Sequence, residues 1–133
     1  MNYILKTAQG IMVNDGEGMH LEKKGMRQYL NELAIEEHVT YEGRIRALRA
    51  RYGLKNNVPL YLSQETCLYP LRPLRATDAV FVNYFNVLSL RQGRNGDAEI
   101  IFTNLAILKT ALPYATAVRK HVQTGRLIER IDR

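Results

Sequence analysis

Residues 41–73 read YEGRIRALRARYGLKNNVPLYLSQETCLYPLRP, and a change of rhythm inside them decides the fold. Tyr41, Ile45, Leu48 and Tyr52 recur at i, i+4, i+7 and i+11, which lines them up on one side of an α-helix. Thr40 is placed to cap that helix, Gly43 weakens its first turn, and Gly53 supplies its stop. From Val58 the pattern shortens. Val58–Leu62 and Thr66–Tyr69 are the β-branched and aromatic runs expected of strands. An amphipathic helix running into strands through a Gly-Leu-Lys-Asn-Asn turn predicts an α+β protein.

Outward from this junction the same reading continues. Tyr3–Leu5, Gly10–Val13 and Met19–Leu21 read as three short strands with the Asn14-Asp15-Gly16 turn among them, and Met26 to Glu37 as a helix burying Tyr29, Leu30 and Leu33. Ala79–Tyr84, Val87–Arg91, Glu99–Phe102 and Leu105–Lys109 are further strands, with Gly93-Arg94-Asn95-Gly96 as a hairpin turn. Pro113 is expected to start a terminal helix reaching Ile131. Gly125 is a candidate break in it, and Tyr114, Val118, Val122 and Ile128 are its candidate core residues. The sum is an antiparallel β-sheet core with about three helices. No repeat or Pro/Ser-rich linker divides the 133 residues, so 1–133 is read as a single domain.

Composition narrows the function classes. Hydrophobic residues are 46% and charged residues 24% of the chain, as in an ordinary globular protein. No apolar run approaches the roughly 18 residues of a membrane span, and the N-terminus has no signal-peptide pattern. The one cysteine, Cys67, cannot form an internal disulfide, which fits a reducing cytoplasm; its expected role is a small buried hydrophobe. The net charge of +6 is uneven: residues 1–42 carry four basic and seven acidic side chains (−3), residues 43–133 fifteen and six (+9). Such a surface attracts nucleic acid, acidic lipid or an acidic protein.

No phosphate-binding glycine loop or dinucleotide fingerprint is present. His20, His38 and His121 lack metal-ligand spacing, and Ser63 and Ser89 sit in no nucleophile motif. No catalytic residues, metal or cofactor are therefore assigned, and the chain is expected not to be an enzyme.

The basic residues carry the functional signal. Arg44, Arg46, Arg49, Arg51 and Lys55 fall within a dozen residues. Arg44 and Arg51 should project from one flank of the apolar stripe and Arg46 from the other, with Arg49 nearer the buried boundary. A charge run is often only a solvated face, but arginine forks onto phosphates and enters narrow minor grooves. Arg72 and Arg75 bracket Pro73 in an expected loop, and Arg94 sits at the hairpin tip. The candidate DNA-binding set is thus Arg44, Arg46, Arg51, Lys55, Arg72, Arg75 and Arg94. Arg44 has an alternative role, bracing the fold through a carboxylate or carbonyl. Tyr41 and Tyr52 suit the core better than base stacking.

The ordered series Tyr41-Glu42-Gly43-Arg44, Gly53 to Leu60, Cys67-Leu68-Tyr69-Pro70, Asp78 to Tyr84 and Ile100 to Asn104 resembles the competence transcription factor ComK family of low-GC Gram-positive bacteria. The resemblance spans residues 25–130. It departs at Tyr69-Pro70-Leu71-Arg72-Pro73, where the family has Phe-Pro-Thr and then Ser-Pro. It departs again at Ala79-Val80-Phe81-Val82, which lacks the family's tryptophan. The resemblance implies a cytoplasmic transcription activator of competence genes, associated with the nucleoid when bound. It implies binding to paired A/T-rich boxes of double-stranded DNA, largely through the minor groove, as a homodimer or higher oligomer, and delivery by an adaptor to a Clp protease. The alternative is a diverged, non-catalytic interaction module that pairs with regulators or a protease adaptor.

Overall fold

Neighbouring residues of the first strand enter different apolar environments, and the layering follows from that alternation. Ile4 packs with Ile11, Leu68 and Phe81, whereas Tyr3 packs with Tyr69, Val82 and Phe102. The structure, a computed structural model, describes residues 1–133. The elements are β1 (Tyr3–Thr7), β2 (Gly10–Asn14), β3 (Met19–Glu22), α1 (Met26–Glu36), α2 (Tyr41–Tyr52), β4 (Leu60–Tyr61), β5 (Cys67–Arg72) and β6 (Val80–Asn83). A 3-10 turn at Tyr84–Asn86, β7 (Val87–Gln92), β8 (Asp97–Phe102), β9 (Ile107–Pro113) and α3 (Tyr114–Ile131) follow.

The α+β fold class holds, with every strand pair antiparallel, but the strands divide into two sheets. Six form one in the order β3-β2-β1-β6-β5-β4, and three form another in the order β7-β8-β9. Met26, Leu30 and Ala34 of α1, with Tyr41 and Ile45 of α2, cover one face of the large sheet. Ile100, Phe102, Leu108 and Leu112 of the small sheet cover the other. The large sheet is therefore sealed on both sides, and α3 closes the end of the second layer against β5 and β8.

Several boundaries move, each for a local reason. The run Val58–Leu62 pairs only at Leu60 and Tyr61. β5 continues past Tyr69 through Pro70, because β4 has already ended there and a missing N–H leaves no partner unsatisfied on that side. Leu105, expected in a strand, has φ 72° and belongs to the turn, so β9 starts at Ile107 and runs to Pro113. Tyr84 leaves the strand for the 3-10 turn. α3 passes Gly125 without a break, since Tyr84 Oη would lie 2.6 Å from a Cβ there and only glycine lets the ring approach. The buried residues of α3 are Ala117, Thr124, Leu127 and Ile128, while Val122 is exposed.

An asparagine network ties the layers together. Asn83, 2% exposed, accepts from the Cys67 N–H at 3.1 Å and donates to the carbonyls of Met1 (3.0 Å) and Glu65 (3.1 Å). Asn2 donates to Asn14 Oδ1 at 2.9 Å and Asn104 Oδ1 at 3.1 Å. Truncating Asn83 leaves enclosed backbone groups unpaired, so Asn83→Ala should lower stability by about 2 kcal/mol. Urea denaturation reads this directly; a midpoint equal to that of the parent chain would contradict it.

Candidate nucleic-acid interface

α2 is fixed at both ends by its own sequence. Thr40 Oγ1 accepts from the Gly43 N–H at 3.0 Å, Asn31 Oδ1 accepts from the Tyr41 N–H at 2.9 Å, and Gly53 takes the left-handed conformation at φ 67°. Its stripe turns Leu48 into the core and half-buries Tyr41, Ile45 and Tyr52. Arg46, Arg49 and Arg51 are consequently exposed. The half-buried arginine is Arg44, not Arg49: it lies three residues after Tyr41 and four before Leu48, on their face. Its Nε is enclosed and has no hydrogen-bond partner, so no carboxylate or carbonyl braces it there.

Past Gly53 the chain forms a loop to Pro59 whose Asn56 and Asn57 make a wall common to two depressions. On one side lies an open trough of about 840 Å³ lined by Lys6 of β1, Arg27 of α1, Arg49 of α2 and Arg75 of the β5–β6 connection. On the other lies a more enclosed pocket of about 420 Å³ carrying Lys55, Lys120, Arg126 and Arg130. No aspartate or glutamate lines either. Among these eight cations only Arg27 forms an ion pair, Nη1 to Glu42 Oε1 at 2.7 Å.

The local electrostatics are those of crowded cations with few carboxylate partners. Burial pushes the Lys120 ammonium below the usual lysine range, and repulsion from Arg119 and Arg72 adds to it. Arg130 donates from Nη1 to the Tyr52 carbonyl at 3.3 Å, and its guanidinium lies 5.0 Å from the centre of the Tyr52 ring, which Arg51 also approaches at 5.3 Å.

Beneath, the His121 ring stacks on Tyr84 with centroids 4.4 Å apart, and its Nδ1 lies 3.0 Å from Tyr69 Oη. Burial lowers the His121 pKa and raises that of Tyr69, so it favours the neutral form of both partners. The Cys67 thiol is buried and pushed up to about 12, which leaves it without thiolate character.

The sequence-derived candidates separate in three dimensions. Lys55 lines the pocket and Arg75 the trough. Arg46 and Arg51 are exposed on α2 outside both. Arg72, expected in a loop, ends β5 and is held by Asp78 (Nε to Oδ2, 3.1 Å). Arg94 belongs to the small sheet, beside Arg91, Asp97, Glu99 and Lys109, where charges are mixed and Arg91 pairs with Glu99 at 2.8 Å. Lys6, Arg27, Arg49, Lys120, Arg126 and Arg130 were not among the candidates. Two of them, Lys6 and Arg27, come from the net-acidic first third of the chain, and only the fold assembles them with the rest. No three His, Cys, Asp or Glu side chains gather as a metal-holding set, and no helix is long and apolar enough to cross a membrane. Compared with protein-family models, curated proteins and solved structures, the chain matches none.

Proposed function

We propose that this chain is a DNA-binding transcription activator of the ComK type that reads A/T-rich boxes of double-stranded DNA, in large part through the minor groove. The observation that carries the reading is the face centred on residues 53–59, where eight lysines and arginines from six separate stretches of chain converge and no carboxylate lines the surface. A merely solvated surface mixes signs, as the depression beside Arg94 does. Phosphates would neutralise the trough and set register, while arginines free of ion pairs, Arg46, Arg49, Arg51 and Arg75 among them, remain available to a narrow groove. The A/T preference, the cytoplasmic location and the non-enzymatic role are what the resemblance of the residue order to the ComK family implies.

Fluorescence anisotropy with a duplex carrying paired A/T-rich boxes, against a G/C-rich duplex of equal length at two salt concentrations, tests it. The expected result is tighter binding to the A/T-rich duplex with affinity falling as salt rises. Equal affinity for both duplexes would reduce the reading to a basic protein on a polyanion.

A protein-interaction role is favoured by one feature. Leu88 (58% exposed), Leu105 (72%) and Ile107 (44%) stand out on or beside the edge strands of the small sheet, and none of them lines the trough or the pocket. Pairing of two copies there would suit paired boxes. Binding to a protease adaptor is the other use of such a surface, and sedimentation of the free chain separates dimer from monomer.

A further inference from the structure

The pocket beside α3 differs from the trough in more than size. Leu54, Val58, Pro59 and Leu127 give its lining an apolar part, while Lys55, Lys120, Arg126 and Arg130 also line it and none of the four has a carboxylate partner. At about 420 Å³ it falls in the range of small-molecule sites. Duplex phosphates need only an exposed row of cations, whereas Lys120 is half-buried in the lining of a recess. Gln123 and Thr124 add amide and hydroxyl groups to the wall.

We propose that this pocket is a binding site for a small organic anion bearing two or more phosphoryl groups, of the size of a nucleoside polyphosphate. Its less polar part lies against Leu54 and Pro59, the half-buried apolar side chains of the lining, and its phosphates are held by Lys120 and Arg126, with Lys55 closing from the loop. Arg130 is the least mobile of the four, because the Tyr52 carbonyl and ring already hold it, and it serves as a fixed wall. Asn56 and Asn57 line both pocket and trough, so an occupant would alter the shape of the DNA-facing wall. The site does not depend on the DNA reading: its ligand is a free small anion.

The test is isothermal titration of the full chain with metal-free ATP, pyrophosphate, inorganic phosphate and adenosine, repeated on Lys120→Gln/Arg126→Gln. Both substitutions keep the side-chain stems, and a thermal melt of the free variant confirms that it is folded. The expected result is saturable one-to-one binding of ATP, weaker binding of pyrophosphate and none of adenosine, with the double variant at least ten-fold weaker for ATP. Equal ATP affinity in the parent and the variant would overturn the assignment. So would the absence of saturable binding to any free anion while a short duplex still binds, because the pocket would then hold only backbone phosphate. Failure of the DNA reading shows instead as no duplex binding by the parent chain, whatever ATP does.

Discussion

Duplex affinity is expected to fall by roughly 10²–10³-fold at about 0.1 M salt when Lys6, Arg49 and Arg75 are all replaced by glutamine. Each phosphate neutralised by a side chain releases about 0.9 of a counterion, worth close to a decade in affinity at that salt. Three lost contacts should also flatten the plot of log affinity against log salt by about 2.7 in slope. The three residues form no ion pair and lie on three different elements that touch the trough, so thermal stability should stay within a degree or two of the parent. Arg94→Gln is the internal control, because the depression it lines holds two carboxylates of its own, Asp97 and Glu99. Should the triple variant keep the parental slope, the trough is not the DNA-facing surface. Anisotropy titrations at four salt concentrations give affinity and slope together.

The largest effect on stability is expected at Gly10, which opens β2 with φ 143°. A Cβ there would sit 2.2 Å from the Glu22 carbonyl oxygen and 3.1 Å from Lys23 Cα. Both are backbone atoms of the β3 region, paired to β2 through Ile11 and Glu22, so neither can rotate away. Dihedral strain and overpacking each cost about 1–3 kcal/mol, and Gly10→Ala should lose about 4 kcal/mol in all, much of a typical domain's stability. Gly18→Ala separates the two contributions. Its φ is 156° but nothing lies within 4 Å of the added carbon, so its loss should be confined to the dihedral part. Equal losses at the two positions, measured by urea denaturation, would mean that the approach of Glu22 to Gly10 is unimportant.

What the sequence made legible was whatever local spacing encodes. The i, i+4, i+7, i+11 stripe of α2, its Thr40 cap and its Gly53 stop all stand as read, and so does the Gly93–Gly96 hairpin, where the Gly93 N–H meets the Asp97 carbonyl at 2.8 Å. Pro113 opens the terminal helix as read, as the cap of α3, while also closing β9; the Thr66–Tyr69 strand runs on through Pro70, which lies beyond the end of β4, where no ladder bond is lost. The division into two sheets was not legible, because Tyr3, Val82 and Tyr69 read as ordinary alternating residues whichever layer covers them. The basic face was legible only in part. Lys55 and Arg75 stand in or near runs that announce themselves, but Lys6 and Arg27 lie in the acidic first third of the chain. Arg49 was assigned to the buried boundary by a helical-wheel argument that could not tell which flank the sheet would take; Arg44 took it instead.

The order of strands in the large sheet also has a consequence for how the chain is made. β1 lies between β2, which follows it at once, and β6, whose Val80 pairs with Leu5 across 75 residues of sequence. At roughly 5–20 residues per second, a ribosome leaves β1 without its second neighbour for about 4–15 s. Through that interval α1 can already cover Ile4, Ile11 and Val13, but the face carrying Tyr3 lacks the Val82 and Phe102 that cover it, and the free edge of β1 stays open. Assembly of the sheet therefore waits on a late strand, and the nascent chain spends those seconds as a natural client for whatever shields apolar strands at the tunnel exit.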